Sequence, residues 1–95
     1  MLHKVVFDEP NSLFRVSLEA EHEAIMKFEV HDDVYVITST KVPEALKGKG
    51  YGKVMMETIL PELERLGVTI KPVCSYVVHY MSRHPEWSHL LAEQP

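Results

Sequence analysis

The sequence contains one cysteine, Cys74, among its 95 residues. One cysteine cannot form a disulfide within the chain, and it cannot build a zinc ribbon or an iron–sulfur site, which need several cysteines. We therefore expect a reducing cytoplasm as the location. No spacing of His, Asp and Glu is typical of a metal site either.

Long apolar runs and surplus positive charge are also lacking. No segment approaches the roughly 20 apolar residues of a membrane-spanning helix, and the N-terminus lacks the apolar stretch of a signal peptide. The net charge is −4, whereas a general nucleic-acid binder usually carries a basic surplus. We therefore expect neither a membrane nor a nucleic acid as partner. A hydrophobic content of 45% is enough for one core, which predicts one domain over residues 1–95.

The first forty residues have the composition of β-strands. Apolar residues alternate with polar ones at residues 24–30, and β-branched and aromatic residues dominate residues 34–38. The predicted strands cover residues 5–7, 13–18, 24–30 and 34–38. The turn-forming segments 8–12 and 31–33 are short, which predicts an antiparallel meander.

The pattern then changes to helical spacing. The apolar residues that recur at this spacing are Met55, Ile59, Leu63 and Leu66. Gly67 is a typical helix stop. Pro61 lies inside the helical pattern and is expected to kink the helix, because it lacks a backbone donor.

After this helix, residues 68–70 predict a fifth strand and residues 75–83 a second helix. An apolar tail containing Trp87, Leu90 and Leu91 is expected to pack back on the core. A strand–helix–strand crossover makes the fourth and fifth strands parallel. The predicted fold is therefore α+β: a mixed sheet with four antiparallel strands, a helix, a parallel fifth strand and a C-terminal helix.

The loop before the first helix has the sequence Lys-Gly-Lys-Gly-Tyr-Gly, residues 47–52. Alternate glycines let a backbone approach a ligand, and the N-terminus of the next helix favours a phosphate. Residues 41–53 also contain four lysines and one acid, Glu44. These features predict an anion-binding loop at the carboxyl end of the fourth strand. The alternative is a flexible surface loop with solvated lysines.

Two common phosphate-binding loops do not fit. A Walker loop requires glycine where Lys47 stands and serine or threonine where Val54 stands. A dinucleotide fingerprint requires its third glycine at position 53, which is lysine. Another kind of phosphate loop is therefore needed.

The segment Lys47-x-x-Gly50-x-Gly52 resembles the Arg/Gln-x-x-Gly-x-Gly/Ala motif of the Gcn5-related N-acetyltransferases. The chain is similar to very short members of this superfamily in three further segments. They are Thr-Lys-Val-Pro at 40–43, Cys-Ser-Tyr-Val at 74–77 and Pro-Glu-Trp at 85–87, and the resemblance covers residues 24–91.

Two residues depart from the short members' pattern. Ser39 replaces a histidine, which puts any role for a base at that position in doubt. Lys47 replaces an arginine, and lysine cannot make the bidentate phosphate contact of a guanidinium.

The resemblance implies an acetyl-coenzyme-A-binding enzyme that transfers acetyl to an amine or a protein amino group. The pantetheine arm would lie along the strand backbone at 40–42, and the diphosphate would take the N–H groups of residues 49–52. Direct attack by a deprotonated amine would give an N-acetyl product and free coenzyme A. The cofactor-binding residues implied are Thr40, Val42, Lys47, Gly48, Lys49, Gly50, Tyr51, Gly52, Lys53, Ser75 and Tyr76.

Cys74 offers a second catalytic route. It precedes the second helix, whose N-terminus would lower its pKa, so that a thiolate could accept the acetyl group and pass it on. The alternative is a small buried hydrophobe. Tyr76 and Tyr80 lie on one helix face and are candidates for the acid that protonates the departing thiolate, or for core packing. Three histidines, His79, His84 and His89, are expected at the surface or in the tail, with His79 a candidate base.

Three functions remain open on the sequence. The first is an acetyltransferase, the second a coenzyme-A-binding module without transfer activity, and the third an interaction domain without a cofactor. The strand connections are too short to build an enclosed amine pocket, so the acceptor site is expected to be open or supplied by a partner. The apolar tail could also support a homodimer.

Overall fold

The computed structural model describes residues 3–92 and contains one five-stranded sheet in the order β1-β2-β3-β4-β5. Its first four strands are antiparallel: β1 (Val5–Asp8), β2 (Leu13–Ser17), β3 (Glu23–His31) and β4 (Val34–Lys41). Helix α1 (Tyr51–Leu66) leads to β5 (Thr69–Pro72), which is parallel to β4, and α2 (Ser75–Arg83) and a 3₁₀ segment (Pro85–Leu90) follow. The predicted α+β mixed sheet is confirmed.

Both helices pack on the same face of the sheet. Alternate strand residues such as Phe14, Met26 and Ile37 join the buried side chains of α1 and α2 in one hydrophobic cluster. The α1 and α2 residues in this cluster are Met55, Met56, Ile59, Leu60, Leu63, Val77, Tyr80 and Met81. Because side chains alternate along a strand, the intervening residues point to the other face. Within residues 3–92 no helix covers that second face, which we call the open face.

A β-bulge in β4 changes which residues reach the open face. Ile37 lies opposite Phe28 and Ser39 lies opposite Lys27, so Thr38 is an extra residue on β4. An extra residue reverses the alternation beyond it. Thr40 therefore points to the helix side, beside buried Met26, while Ser39 and Lys41 point to the open face.

The sequence predicted the elements well and some details less well. Val30, one of the alternating apolar residues of β3, is 51% exposed because it lies near the end of the strand. Pro61 lies inside α1, which continues to Leu66. In the apolar tail, Leu90 is buried, and the N–H of Ala92 donates to the Ile70 carbonyl at 2.9 Å, so the tail packs on the core as predicted. None of the helices within residues 3–92 is long and apolar enough to cross a bilayer.

Candidate active site

The glycine-rich loop presents backbone donors at the N-terminus of α1. Gly48 and Gly50 have φ angles of +83° and +79°, in the left-handed region that favours glycine, and Gly50 is the N-cap of α1. The first helical bond runs from Val54 N–H to the Gly50 carbonyl. The N–H groups of residues 48–53 donate to no acceptor in the described part of the chain. Six consecutive amides are therefore available to an anion.

The lysines of this loop are partly neutralised by acids. Lys49 Nζ lies 3.0 Å from a carboxylate oxygen of Glu19, and the Tyr51 hydroxyl donates to the other oxygen at 2.5 Å. Lys47 Nζ pairs with Glu44 at 2.8 Å. The hydrogen bond from the Tyr51 hydroxyl, and after it the one from Lys49, hold the pKa of Glu19 below its usual range. The local charge is thus less positive than the residues 41–53 alone indicate.

Glu19 reaches the loop from the connection between β2 and β3. Ala20 and Glu21 in this connection adopt positive φ angles of 54° and 62°, which cost non-glycine residues free energy. Two backbone bonds close the turn, from Leu18 N–H to the His22 carbonyl and from His22 N–H to the Glu19 carbonyl. Sequence reasoning missed Glu19, because nothing in a solvent-exposed acidic turn indicates which distant loop it will contact.

A gap opens between β4 and β5 next to the loop. Their pairing ends at Ile37 and Pro72, and the N–H groups of Val73 and Cys74 both donate to the Ile37 carbonyl, at 2.9 and 3.0 Å. Strand β4 continues through residues 38–41 with no paired strand on this side among residues 3–92, although the Thr40 backbone N–H faces the Cys74 sulfur. Its exposed backbone edge can bind an extended chain by strand-like hydrogen bonds. Val42, just beyond, is half-buried against the core.

Cys74 lies at this gap, where β5 gives way to α2. Its Sγ is 3.4 Å from the Thr40 hydroxyl on β4, and the residue is half-buried and unpaired with any other cysteine. Burial raises the pKa of the Cys74 thiol, but the Thr40 hydroxyl and the amides at Tyr76 and Val77 outweigh it and lower the pKa overall. The backbone N–H groups of Tyr76 and Val77 stabilise the negative charge of the sulfur, although Cys74 forms no regular side-chain capping hydrogen bond with α2. A larger fraction of the Cys74 thiol is thus ionised at a given pH than for an unperturbed cysteine side chain.

Tyr76 extends from α2 across to the first turn of α1. A Cβ atom added at Gly52 would lie 2.7 Å from the Tyr76 hydroxyl, so the glycine makes room for the phenol. Burial raises the pKa of Tyr76, which keeps the hydroxyl protonated and able to donate. Ser75 is exposed at the start of α2.

The remaining candidates lie outside this constellation. Tyr80 is 7% exposed, belongs to the core and stacks on His84 at 4.0 Å between ring centroids. His79 is exposed on α2, and His89 bonds to Glu64 at 2.6 Å. Of the two tyrosines, Tyr76 therefore faces the loop and Tyr80 packs in the core. Among residues 3–92, no group of three or more potential metal ligands lies close enough together to hold an ion.

The fold agrees with comparisons to known proteins. A GCN5-like protein from Staphylococcus aureus, described as an N-acetyltransferase and solved by NMR, superimposes with a TM-score of 0.69 at 18% identity, over 97% of this chain and 90% of that chain. This match shows a shared fold. A model of the GCN5-related N-acetyl-transferase family matches residues 13–90, and the chain belongs to that family. A search of curated proteins gives no significant match.

Proposed function

We propose that this chain is an acetyl-coenzyme-A-dependent N-acetyltransferase. The observation that carries the proposal is the row of unpaired amides at residues 48–53, which lies at the mouth of the β4–β5 gap. An anion bound there would take several N–H bonds and the positive end of the α1 dipole. The family membership supports the same activity.

Different residues would bind the two parts of the cofactor, the diphosphate and the pantetheine arm. Gly48 and Gly50 expose the amides that would hold the diphosphate, and Lys53 adds a charge that no acid in the described chain neutralises. Lys49 would divide its charge between the diphosphate and Glu19. The free edge of β4 at residues 38–41 would pair with the amide groups of pantetheine.

For the transfer, the acceptor amine's lone pair attacks the thioester carbonyl, and the carbon–sulfur bond breaks as the new carbon–nitrogen bond forms. Alignment of the two reactants supplies much of the rate. Tyr76, protonated beside the first turn of α1, would give its proton to the departing thiolate. The amine must lose a proton to solvent or a base.

Cys74 supports a two-step version of the same reaction. Its thiolate would attack the thioester, release coenzyme A and carry the acetyl group as a new thioester until an amine takes it. Incubation with acetyl coenzyme A would then add one acetyl mass to the protein, and Cys74→Ala would abolish the addition. An unmodified wild-type mass would leave direct attack as the mechanism.

A coenzyme-A-binding module without transfer activity is the second candidate function. The open face favours it, because no helix within residues 3–92 encloses an amine pocket there. Release of free thiol from acetyl coenzyme A in the presence of mixed amines separates the two. We also propose that the 95 residues act as one domain in a reducing cytoplasm, the setting in which a lone cysteine stays reduced.

Thermal unfolding tests the binding step directly. A ligand that binds only the native state increases the unfolding free energy, by about 2.7 kcal/mol at one hundred times its Kd. The midpoint temperature of unfolding therefore rises. We expect acetyl coenzyme A to raise the midpoint and ATP at matched ionic strength to raise it less, because ATP lacks the pantetheine arm. A midpoint that no coenzyme A species moves would reject the proposed function.

A further inference from the structure

The open face carries a groove beside the candidate active site. It has a volume of about 360 Å³ and is lined by Ile25, Lys27, Ser39, Thr40 and Lys41. Ile25 lies directly opposite Lys41, and Lys27 directly opposite Ser39, so the four form a square patch across β3 and β4. Half-buried Ile25 provides an apolar floor between two exposed lysines.

The two lysines of this groove are not neutralised. Neither Lys27 nor Lys41 has a carboxylate partner within residues 3–92. Arg15, opposite Ile25 on β2, contacts Asp8 at 3.0 Å and Glu23 at 3.5 Å.

Glu29 is the next residue of β3 on the open face. Its carboxylate bonds to His31 at 3.0 Å and forms no ion pair with Lys27 or Lys41. An unpaired positive patch in a protein with net charge −4 is complementary to an anionic ligand.

The β4 bulge joins this groove to the reacting centre. Thr40 borders the groove as part of β4, but its hydroxyl points to the helix side and lies 3.4 Å from Cys74 Sγ. Because the extra residue Thr38 reverses the alternation, Ser39 and Lys41 face the groove while Thr40 faces the gap. A ligand in the groove is therefore separated from the β4–β5 gap by the thickness of one strand.

We infer that this groove is the acceptor site, and that the acceptor is an acidic peptide whose amino group lies near a carboxylate. The inference rests on the proposed function and names its substrate class. Small-molecule sites usually bury most of their ligand, whereas Lys27, Ser39 and Lys41 are all exposed. A peptide extended over the open face gains contacts outside the groove, and its carboxylate pairs with Lys27 or Lys41.

Peptide binding to the full chain tests the inference. We would compare three labelled peptides that contain one lysine flanked by Glu, by Gln or by Arg, using fluorescence anisotropy with and without coenzyme A. We expect the Glu peptide to bind about 5- to 10-fold more tightly than the Gln peptide, the effect of two exposed ion pairs. Amide NMR shifts should concentrate at residues 25–27 and 39–41.

Variants assign the effect to the groove. Lys27→Gln, on the strand that does not border the gap, should weaken the preference for Glu and leave the thermal shift with acetyl coenzyme A intact. The double variant with Lys41→Gln added should lose the preference for Glu. Lys71→Gln is the matched control, since Lys71 is an exposed strand lysine that does not line this groove. It should retain the preference.

Several results would overturn the inference: equal affinity for the three peptides, an unchanged preference in the double variant, NMR shifts elsewhere, or free glutamate binding as tightly as the Glu peptide. Failure of the proposed function looks different. Acetyl coenzyme A would then give no thermal shift, while the peptide measurements without coenzyme A would still report on the groove.

Discussion

At the β4–β5 gap, the contact between Cys74 and Thr40 changes the chemical reactivity expected of a lone cysteine. A lone cysteine is usually a small buried hydrophobe, but Cys74 is only half-buried and contacts the Thr40 hydroxyl. It also precedes the first turn of α2. The sum of these effects lowers its pKa and makes the thiol more reactive near neutral pH.

Alkylation of Cys74 measures this effect. Because the folded state lowers the pKa of Cys74, the rate of reaction with iodoacetamide should rise at a lower pH than it does for a cysteine in an unstructured peptide. Thr40→Val removes the hydroxyl and should move the midpoint of the rate profile upward. Thr38→Val, which removes a hydroxyl that bonds to the Lys27 carbonyl instead, is the control and should leave the midpoint in place. A wild-type midpoint at or above that of the cysteine in an unstructured peptide would contradict the prediction.

Gly52 and Tyr76 form a second pair that works at the scale of residues. The phenol occupies the space that a Cβ at position 52 would need. Gly52→Ala should therefore be less favourable with Tyr76 present than in a Tyr76→Ala background, with a coupling free energy of about 1 kcal/mol. A double-mutant cycle of urea unfolding measures this coupling. Additive effects of the two substitutions would show that the phenol moves away without cost.

At the scale of elements, the loop before α1 depends on left-handed glycines. Gly50 at the N-cap and Gly67 at the C-cap of α1 have φ angles of 79° and 73°, and a Cβ at either would meet no atom within 4 Å. Both positions therefore require a left-handed backbone conformation, one at each end of α1. Only Gly50 belongs to the row of unpaired amides at residues 48–53.

Alanine at each cap separates stability from binding. Gly50→Ala and Gly67→Ala should each cost about 1 kcal/mol of unfolding free energy, because both force a side chain into the left-handed region. Gly50→Ala should also weaken coenzyme A binding, measured by titration calorimetry, since relaxation of the loop misaligns the amides. Gly67→Ala should bind as the wild type does. Equal binding by both variants would remove the loop from the cofactor site.

The elements themselves follow closely from local patterns. Period-two apolar residues place β3 correctly, and helical spacing with Gly67 places the end of α1. The bulge at Thr38 is invisible in the sequence, because Thr is a good strand residue whether or not it has a partner. That one residue decides that Ser39 and Lys41 share the open face with Lys27.

At the scale of the whole molecule, the C-terminal segment completes the core. Leu90 is 3% exposed within the same hydrophobic cluster as α1 and α2, whereas its neighbour His89 is exposed. The segment also reaches the edge of β5, where Leu91 forms a bridge with Ile70. Stability of the fold, and not only of the tail, should therefore depend on Leu90.

Substitution in this segment checks that dependence. Leu90→Ala should lower the unfolding free energy by about 2–5 kcal/mol, the usual cost of a cavity in a core. His89→Ala, which removes an exposed contact with Glu64, should cost less than about 1 kcal/mol. Denaturant unfolding measures both. Similar small losses in the two variants would mean that the tail is dispensable.

The sequence by itself determined the elements, their order and the position of the glycine-rich loop, because alternation, helical spacing and glycine chemistry act over a few neighbouring residues. Only the tertiary structure decided that Glu19 contacts Lys49 and Tyr51, and that Thr40 meets Cys74. Residues in these contacts are about 30 positions apart in the chain. Such distances depend on how the whole sheet pairs and twists, and no local pattern encodes them.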